Sequence, residues 1–433
     1  MTARGSASPA SLPHESRWAV ALAGAVSLAV AMGIGRFAFT PLLPMMLHDG
    51  VIDLHAASWL ATANYLGYLV GALLCTFQPW LWAQATRLPP VNGPWLMRAG
   101  LIATGLLTLG MALPMAPLWP LLRFAAGVAS AFVFVYTSGW CLAHLARLGS
   151  PALGGVMYAG PGAGIVASGL FASGMVAWQW RAATGWLILG ALAFGLTALV
   201  WRILRADVGA APVAVTAAAA TATAASSSGS ADRSHRSEPA ARHGRGEVAF
   251  LAVAYGLAGF GYIVTATFLP VIARAALPGS PWPDLFWPIF GLGVFCGALL
   301  ATRLRITGDL RLLLAGSYLI EAAGIAVSVW SPSLAGLAIG SLMLGLPFTA
   351  ITFFALQEVR RLRPAQAASF IGLLTAVYGF GQIVGPPLVA VMLRYSATPG
   401  EGFTRSLQVA MSALLTGAAM YLWMLRAYPM RAR

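Results

Sequence analysis

The sequence contains no lysine, so the 26 residues that are Lys or Arg are all arginines. A Walker A loop holds nucleotide phosphates with a lysine, and this absence excludes that ATP-hydrolysing loop. The net charge of +14 would suit a nucleic-acid-binding protein, but these arginines lie singly or in small groups between apolar segments. We therefore expect no nucleic-acid partner.

Charged residues and cysteines are also scarce. Charged residues make up 9% of the chain and hydrophobic residues 59%, whereas a soluble domain carries roughly 25% charged residues. The three cysteines fall inside apolar segments, which predicts packing residues and no disulfide framework. The composition indicates an all-α membrane protein, for which we expect no cofactor and no metal ion.

Long apolar segments dominate the chain. A spanning helix needs about 20 apolar residues, and we predict twelve, at 18–47, 56–80, 95–115, 118–144, 151–178, 182–203, 248–273, 284–302, 312–331, 333–357, 366–393 and 405–426. The stretch between the sixth and seventh has almost no large apolar side chains, which predicts a disordered linker. The first residues lack the apolar core of a signal peptide. The predicted domains are a disordered tail at 1–16, a six-helix bundle at 17–205, the linker at 206–246, a second six-helix bundle at 247–427 and a tail at 428–433.

The two predicted bundles share a repeat with an offset of 226 residues. Gly33, Gly35, Leu43, Pro44, Gly67 and Gly71 recur as Gly259, Gly261, Leu269, Pro270, Gly293 and Gly297. Tandem halves in a membrane chain are typical of transporters, with the substrate site at their interface. The two halves differ at Arg36, because the residue 226 positions later is Tyr262. A residue of a substrate site can differ between the halves in this way.

The arginines predict the orientation in the membrane. Twenty fall in the loops and flanks of one side and four on the other, and arginine-rich loops are cytoplasmic. Both termini and the linker should therefore lie in the cytoplasm.

Three charged residues lie within the predicted spans away from their ends: Arg36, Arg123 and Glu321. A buried arginine in a membrane helix costs about 3 kcal/mol, so it normally faces a polar cavity or a partner. Arg36 has two interpretations. In the functional one, it binds an anionic substrate group or controls the site of a coupling proton. In the structural one, it hydrogen-bonds helix-end carbonyls and locks two helices together. Thr40 lies one turn further on the same helix face.

The other two charges also have two interpretations each. Arg123 begins the fourth segment and either biases a coupling site or snorkels to the nearby surface. Glu321 either carries protons or is a paired structural acid. Glu358, at the end of the tenth segment beside three arginines, indicates an interfacial charge pair.

Glycine and proline mark places where helices bend or approach closely. The eleventh segment carries the spacing G-x8-G-x3-G-P. We predict that a set of such residues forms either a kinked packing seam or a gate: Gly33, Gly35, Pro41, Pro44, Gly160, Pro161, Gly381, Gly385 and Pro386.

Two six-helix halves around a central linker resemble the major facilitator superfamily. Arg123 with Gly127 resembles that superfamily's R-x-x-x-G motif, which is associated with proton transfer. The stretch from Gly33 to Pro44, followed by Ala63-Asn-Tyr-Leu-Gly-Tyr68, is similar to the YbfB/YjiJ family. The resemblance implies twelve transmembrane helices in two pseudo-symmetric bundles and a monomeric transporter in a bacterial inner membrane. It also implies a central cavity lined by the first, fourth, seventh and tenth helices, with Arg36, Arg123, Tyr136, Tyr262, Thr265 and Thr349 as candidates for its wall.

The first functional hypothesis is a proton-coupled secondary active transporter of a small polar or anionic solute. Arg123 and Glu321 are candidates for coupling transport to protons. The predicted substrate contacts are Arg36, Thr40, Tyr136, Tyr262, Thr265 and Thr349. The spacing in the eleventh segment resembles an antiporter motif, so drug or metabolite efflux is an alternative. A channel is also possible. An intramembrane enzyme is disfavoured because Ser138 and His144, six residues apart, lie on roughly opposite helix faces.

Overall fold

A computed structural model describes residues 16–84, 92–205, 245–301, 303, 309–363 and 367–429. The predicted linker at 206–246 and the tails at 1–16 and 428–433 lie almost entirely outside these residues. The division of the chain at those points therefore stays a prediction.

The described residues form twelve long helices, with no β-strand among them. They are α1 (Arg17–His48), α2 (Leu54–Gln84), α3 (Gly93–Gly110), α4 (Trp119–Arg147), α5 (Pro151–Ala177), α6 (Ala182–Val200), α7 (Arg245–Ala276), α8 (Phe286–Ala301), α9 (Leu310–Trp330), α10 (Leu334–Leu362), α11 (Ala367–Arg394) and α12 (Pro399–Ala427). In a bilayer the backbone must satisfy its own hydrogen bonds, which is why such apolar runs fold as helices. Side-chain oxygens cap the starts of α3, α9, α10 and α12, from Asn92, Asp309, Ser333 and Thr398.

Within the described residues, eleven of these helices are long and apolar enough to cross a membrane. The remaining one, α3, has 18 residues and includes Arg98 and Pro94. At 1.5 Å per residue it is about 27 Å long, close to the roughly 30 Å of a bilayer's hydrocarbon core. The predicted count of twelve spans therefore stays a prediction.

The predicted segment boundaries differ from the helices at several ends. α10 continues to Leu362, so Glu358 lies inside the helix, and α12 begins at Pro399 rather than at 405. α9 begins at Leu310 because Asp309 caps it. Arg311, which precedes the predicted start of this segment at 312 and was therefore predicted to lie in a loop, is in the helix.

The sequence repeat has a structural counterpart in the packing of α2 on α4 and of α8 on α10. A Cβ added at Gly67 would collide with the carbonyl oxygen of Phe124, and one added at Gly293 with that of Leu342 at 2.7 Å. These glycines are 226 residues apart, so the same close helix approach occurs in both halves of the repeat. Such approaches need glycine because any side chain would separate the backbones.

The most extensive contacts between helices of the two halves are those of α1 with α7, α2 with α11, and α5 with α8. We call the end of the bundle that holds Arg17 the near end and the opposite end the far end. Three hydrogen bonds join the halves towards the far end. They link Thr40 Oγ1 to the Ala266 carbonyl at 3.2 Å, Tyr65 to Thr267 at 2.8 Å, and Ser173 Oγ to the Asp284 carbonyl at 3.1 Å.

A buried ionic network holds the near ends of α7, α9, α10 and α12. Arg311 is fully buried and donates to Glu247 at 3.0 Å and to Asp309 at 2.8 Å, and it lies 3.5 Å from Glu358. It also donates to the carbonyl oxygens of Met424 at 3.2 Å and Tyr428 at 2.8 Å. The predicted charge pair of Glu358 is present too, with Arg361 at 2.6 Å.

Candidate functional site

The helical register of α1 changes at its centre. Residues Ala29–Arg36 form a π-helix, with Phe37 N bonded to the Met32 carbonyl at 3.0 Å. In that register the Arg36 carbonyl would accept from residue 41, but Pro41 has no N–H. The Thr40 amide bonds to Phe37 instead. The local sequence therefore leaves backbone carbonyls free in the middle of a membrane helix.

Arg123 of α4 satisfies these carbonyls. Its guanidinium donates to the carbonyl oxygens of Gly35 at 3.3 Å and Arg36 at 3.0 Å. Its own carbonyl accepts from Asn64 Nδ2 at 2.9 Å, which ties α2 to the same point. The Arg123 side chain is 2% exposed, so it turns inward rather than snorkelling to the surface. The helix-locking role that was one interpretation of Arg36 is thus performed by Arg123.

The Arg36 side chain leaves α1 at this point and reaches the other half of the molecule. Its Nη2 donates to Gln382 Oε1 at 2.6 Å, and Gln382 Nε2 donates to the Tyr262 hydroxyl. The guanidinium carbon lies 4.0 Å from the centre of the Tyr68 ring. Arg36 and its repeat counterpart Tyr262 are therefore linked through one buried amide.

Arg36 has no anionic partner in the part of the chain that the structure describes. The residue is 3% exposed, and its Nε has no hydrogen-bond partner among the described residues. Its side chain contacts a neutral amide, aromatic rings and the hydroxyl of Tyr68, all of them uncharged. A desolvated cation costs several kcal/mol unless an opposite charge or good hydrogen bonds compensate it. Arg36 is thus a cation that can accept a negatively charged ligand.

A cavity of about 110 Å³ lies beside Arg36, between the two halves of the repeat. It extends from Arg36 towards the near end of the bundle, where Tyr255 and Thr375 line it. Its wall contains seven Tyr or Phe residues, four Thr or Gln residues, Met32, Pro161 and one charged residue, Arg36. Helices α1, α2, α4, α5, α7, α10 and α11 all contribute, so the cavity belongs to both halves.

A family model described as "Uncharacterised MFS-type transporter YbfB" matches residues 28–422. The chain belongs to this family. A search of curated proteins gave no match. The all-α membrane fold of the major facilitator superfamily and the multi-pass topology expected from the sequence follow from this membership and from the apolar helices. The membership also supports a transporter rather than an enzyme.

Three of the predicted substrate-contact residues of this MFS-type transporter line the cavity: Arg36, Tyr262 and Thr349. The other three do not. Thr40 bonds to the Ala266 carbonyl, Tyr136 bonds to Cys75 against α2, and Thr265 is buried with no partner for its Oγ1 among the described residues.

Glu321 of α9 also lies outside the cavity wall. It is 1% exposed, and its Oε2 has no hydrogen-bond partner among the described residues. One turn earlier, the Tyr318 hydroxyl donates to the Ala254 carbonyl at 2.8 Å and lies 3.5 Å from that of Tyr421. The predicted coupling residues Arg123 and Glu321 are therefore held in separate environments.

The predicted gating or packing residues lie mainly at helix contacts. Added Cβ atoms at Gly33 and Gly160 would collide with α5 and α1 respectively, and one at Gly381 would collide with Gly256 of α7. The remaining members are buried as well: Gly35, Pro41, Pro44, Pro161, Gly385 and Pro386. Pro161 also reaches the cavity. The glycine spacing in α11 is thus used to pack α11 against α7, and a gating role stays a prediction.

Residues that the sequence did not single out complete the site. Gln382, Tyr68, Tyr255 and Tyr378 all line the cavity. The available signal was a lone amide, Gln382, within an apolar segment, since a buried amide needs a polar partner. The sequence did not give the rotation of α11 that turns this amide towards Arg36.

A second cavity, of about 630 Å³, lies at the far end. It is lined by α1, the α3–α4 connection and α6, including His48, Asp49 and Arg181. All of these elements belong to one half of the repeat. A transport site must be shared by the halves that move, so the smaller cavity beside Arg36 is the better candidate.

Proposed function

We propose that this MFS-type transporter is a secondary active transporter that moves a small organic anion by alternating access, with Arg36 binding its anionic group. The observation that carries the proposal is a buried arginine that has no anionic partner in the described part of the chain and lies in a cavity that both halves share. An anion would supply the opposite charge that the described residues do not. A guanidinium also suits a carboxylate, because its planar N–H groups can form two parallel hydrogen bonds.

The position of the cavity supports alternating access. Hydrogen bonds between the halves cluster towards the far end, whereas the cavity extends towards the near end. Arg36 on α1 and Gln382 on α11 come from opposite halves, so a solute held between them would respond to their relative movement. We propose that the near end, which holds Arg17, faces the cytoplasm of a bacterial inner membrane, in line with the arginine-rich loops.

We further propose that Glu321 carries the coupling proton. A carboxylate in a membrane interior is costly unless it is paired or protonated, and Glu321 is almost fully buried with one oxygen unpartnered among the described residues. Replacing it with Gln should preserve anion binding and remove the dependence of uptake on an imposed proton gradient. Glu401→Gln, on a residue half-buried at the far end and paired with Arg405, is the matched control. Unchanged gradient dependence in Glu321→Gln would remove this assignment.

The test of the anion site is a thermal-shift screen of the purified full-length protein in detergent. The compounds are acetate, lactate, succinate, benzoate, phosphate, glucose, glycine and tetraphenylphosphonium. A ligand at 100 times its Kd stabilises its binder by about 2.7 kcal/mol. At least one anion should stabilise the native protein and Arg405→Gln, whose arginine is half exposed, but not Arg36→Gln.

Two results would contradict the proposal. One is equal stabilisation of native protein and Arg36→Gln by every anion that binds. The other is stabilisation of both proteins by the cationic compound alone, which would favour efflux of cations and make Arg36 a structural residue. Counterflow in proteoliposomes with the stabilising anion then tests transport itself.

A further inference from the structure

The walls of the central cavity are formed by aromatic rings. On α7 and α11, the rings of Tyr255 and Tyr378 stack with centroids 4.5 Å apart and planes at 26°. Tyr378 continues the stack to Tyr262, with centroids 6.0 Å apart and planes at 18°. Three nearly parallel rings therefore form one aromatic side of the cavity. Tyr378 is only partly buried and turns towards the cavity.

The opposite half supplies a second aromatic side. Tyr68 of α2 and Phe134 of α4 line the cavity, and both are partly buried. The Tyr68 ring lies directly against the Arg36 guanidinium, at 4.0 Å. The single cation of the wall is therefore placed at the edge of an aromatic slot. An apolar cavity of about 150 Å³ accommodates benzene, so a cavity of about 110 Å³ limits the body of the solute to at most one ring.

The charges and hydrogen bonds of the wall restrict the solute further. Among the described residues, one arginine and no acidic residue line the cavity. The charge of Arg36 therefore matches a single negative charge on the solute, while the ammonium of an amino acid would be left unpaired. Most of the polar groups already have partners. Tyr255 donates to Thr352 at 3.1 Å, and Thr375 donates to its own helix at 3.0 Å. A sugar, which needs many hydrogen bonds, would therefore fit poorly.

We propose that the solute is an aromatic monocarboxylate, with its carboxylate on Arg36 and its ring against the Tyr378 side of the slot. This inference rests on the proposed function and names the class of its substrate. A flat ring gains offset or edge-to-face contacts with the tyrosines that a saturated body of the same size does not.

The probes are six small compounds titrated against the purified full-length protein, with thermal shift as the readout of Kd. They are benzoate, cyclohexanecarboxylate, acetate, phthalate, phenylalanine and benzamide. Benzoate should bind most tightly. Cyclohexanecarboxylate keeps the charge and the size but has no π face, so its Kd should be about three- to tenfold higher. Acetate, phthalate, phenylalanine and benzamide should bind still more weakly.

Two substitutions on one helix separate stacking from general damage to the fold. Tyr378→Leu should raise the Kd for benzoate about three- to tenfold and change the Kd for acetate less than twofold. Phe380→Leu removes a ring from the same helix that is 63% exposed, and it should change neither value. Tyr378→Phe keeps the ring and should retain most of the benzoate affinity. In Tyr378→Leu, the Kd for benzoate is compared with the Kd for acetate in the same protein. A loss of stability alone would not raise one Kd without the other.

The outcomes distinguish this inference from the proposed function. If acetate or cyclohexanecarboxylate binds as tightly as benzoate, and binding is lost in Arg36→Gln, the anion site stands and the aromatic class is wrong. If benzamide binds as tightly as benzoate in both native protein and Arg36→Gln, both proposals fail. An unchanged ratio of benzoate to acetate Kd in Tyr378→Leu would also overturn the aromatic class.

Discussion

Replacing Arg311 with Met should destabilise the protein far more than removing an arginine from an exposed ion pair. Arg311 is fully buried, with Glu247 at 3.0 Å and Asp309 at 2.8 Å. Removing one member of a buried pair leaves the other charge uncompensated and costs about 3–5 kcal/mol. The carbonyl oxygens of Met424 and Tyr428 lose a donor as well, at about 1 kcal/mol or more each where they are buried.

The comparison variant is Arg405→Met. Arg405 pairs with Glu401 at the far end, and the two side chains are 50% and 38% exposed. Exposed pairs of this kind contribute about 0–1 kcal/mol. The expected difference between the two variants is therefore at least about 3 kcal/mol in the free energy of unfolding. At about 2 °C per kcal/mol for a large chain, this corresponds to a melting midpoint at least about 6 °C lower for Arg311→Met.

The assay is thermal unfolding of both full-length variants in the same detergent, followed by tryptophan fluorescence. A double variant, Arg311→Met with Glu247→Leu, should recover part of the loss, because replacing a whole buried pair by apolar residues is often neutral. Melting midpoints of the two single variants within a degree of each other would refute this account of the network. The same conclusion would follow if the double variant melted well below Arg311→Met.

Two further predictions concern the helix packing and the pH dependence. A Cβ at Gly127 would collide with the Asn64 carbonyl, whereas one at Gly195 meets nothing within 4 Å; Gly127→Val should therefore lower the melting midpoint and Gly195→Val should not. Burial works against the charged form of Asp309, but the hydrogen bonds and charge of Arg311 outweigh it and hold the pKa of that carboxyl below its usual range. The stability that Asp309 contributes is thus present above its unfolded pKa of 3.8 and is lost as the pH falls through its lower folded pKa. Between about pH 5 and pH 2, the melting midpoint of Asp309→Asn should therefore fall less than the melting midpoint of the native protein.

The helices, and the matching helix contacts in the two halves of the repeat, could be predicted from the sequence. In lipid the backbone must satisfy its own hydrogen bonds, which restricts the structures it can form. An apolar run must form a helix, and glycines repeated at one offset, such as Gly67 and Gly293, mark the same close approach twice. The main error concerned Arg311. It was predicted to lie in a loop because the predicted segment began at 312, whereas the helix begins at Leu310. Asp309, two residues before Arg311, was the available signal, since an aspartate commonly caps a helix start.

The site could be predicted only in part. Arg36 stood out because a charge deep in an apolar segment requires a cause. The residues around it, such as Gln382 and Tyr378, were visible as polar groups in α11, but their placement depends on how α11 is rotated against α1. That rotation is set by packing over the whole length of both helices and not by any local pattern. For the same reason Thr40 and Tyr136 share segments with site residues but do not line the cavity.

The π-helical segment of α1 gives Arg36 its direction. In an α-helix each residue turns the chain by about 100° and advances it by 1.5 Å. A wider turn over Ala29–Arg36 therefore changes the angle at which every later residue leaves the axis. If Ala29–Arg36 closed into a regular α-helix with the same number of residues, Arg36 would leave the axis at a different angle and would no longer be directed at Gln382. The candidate site is thus specified by the number of residues in one turn as much as by the residues themselves.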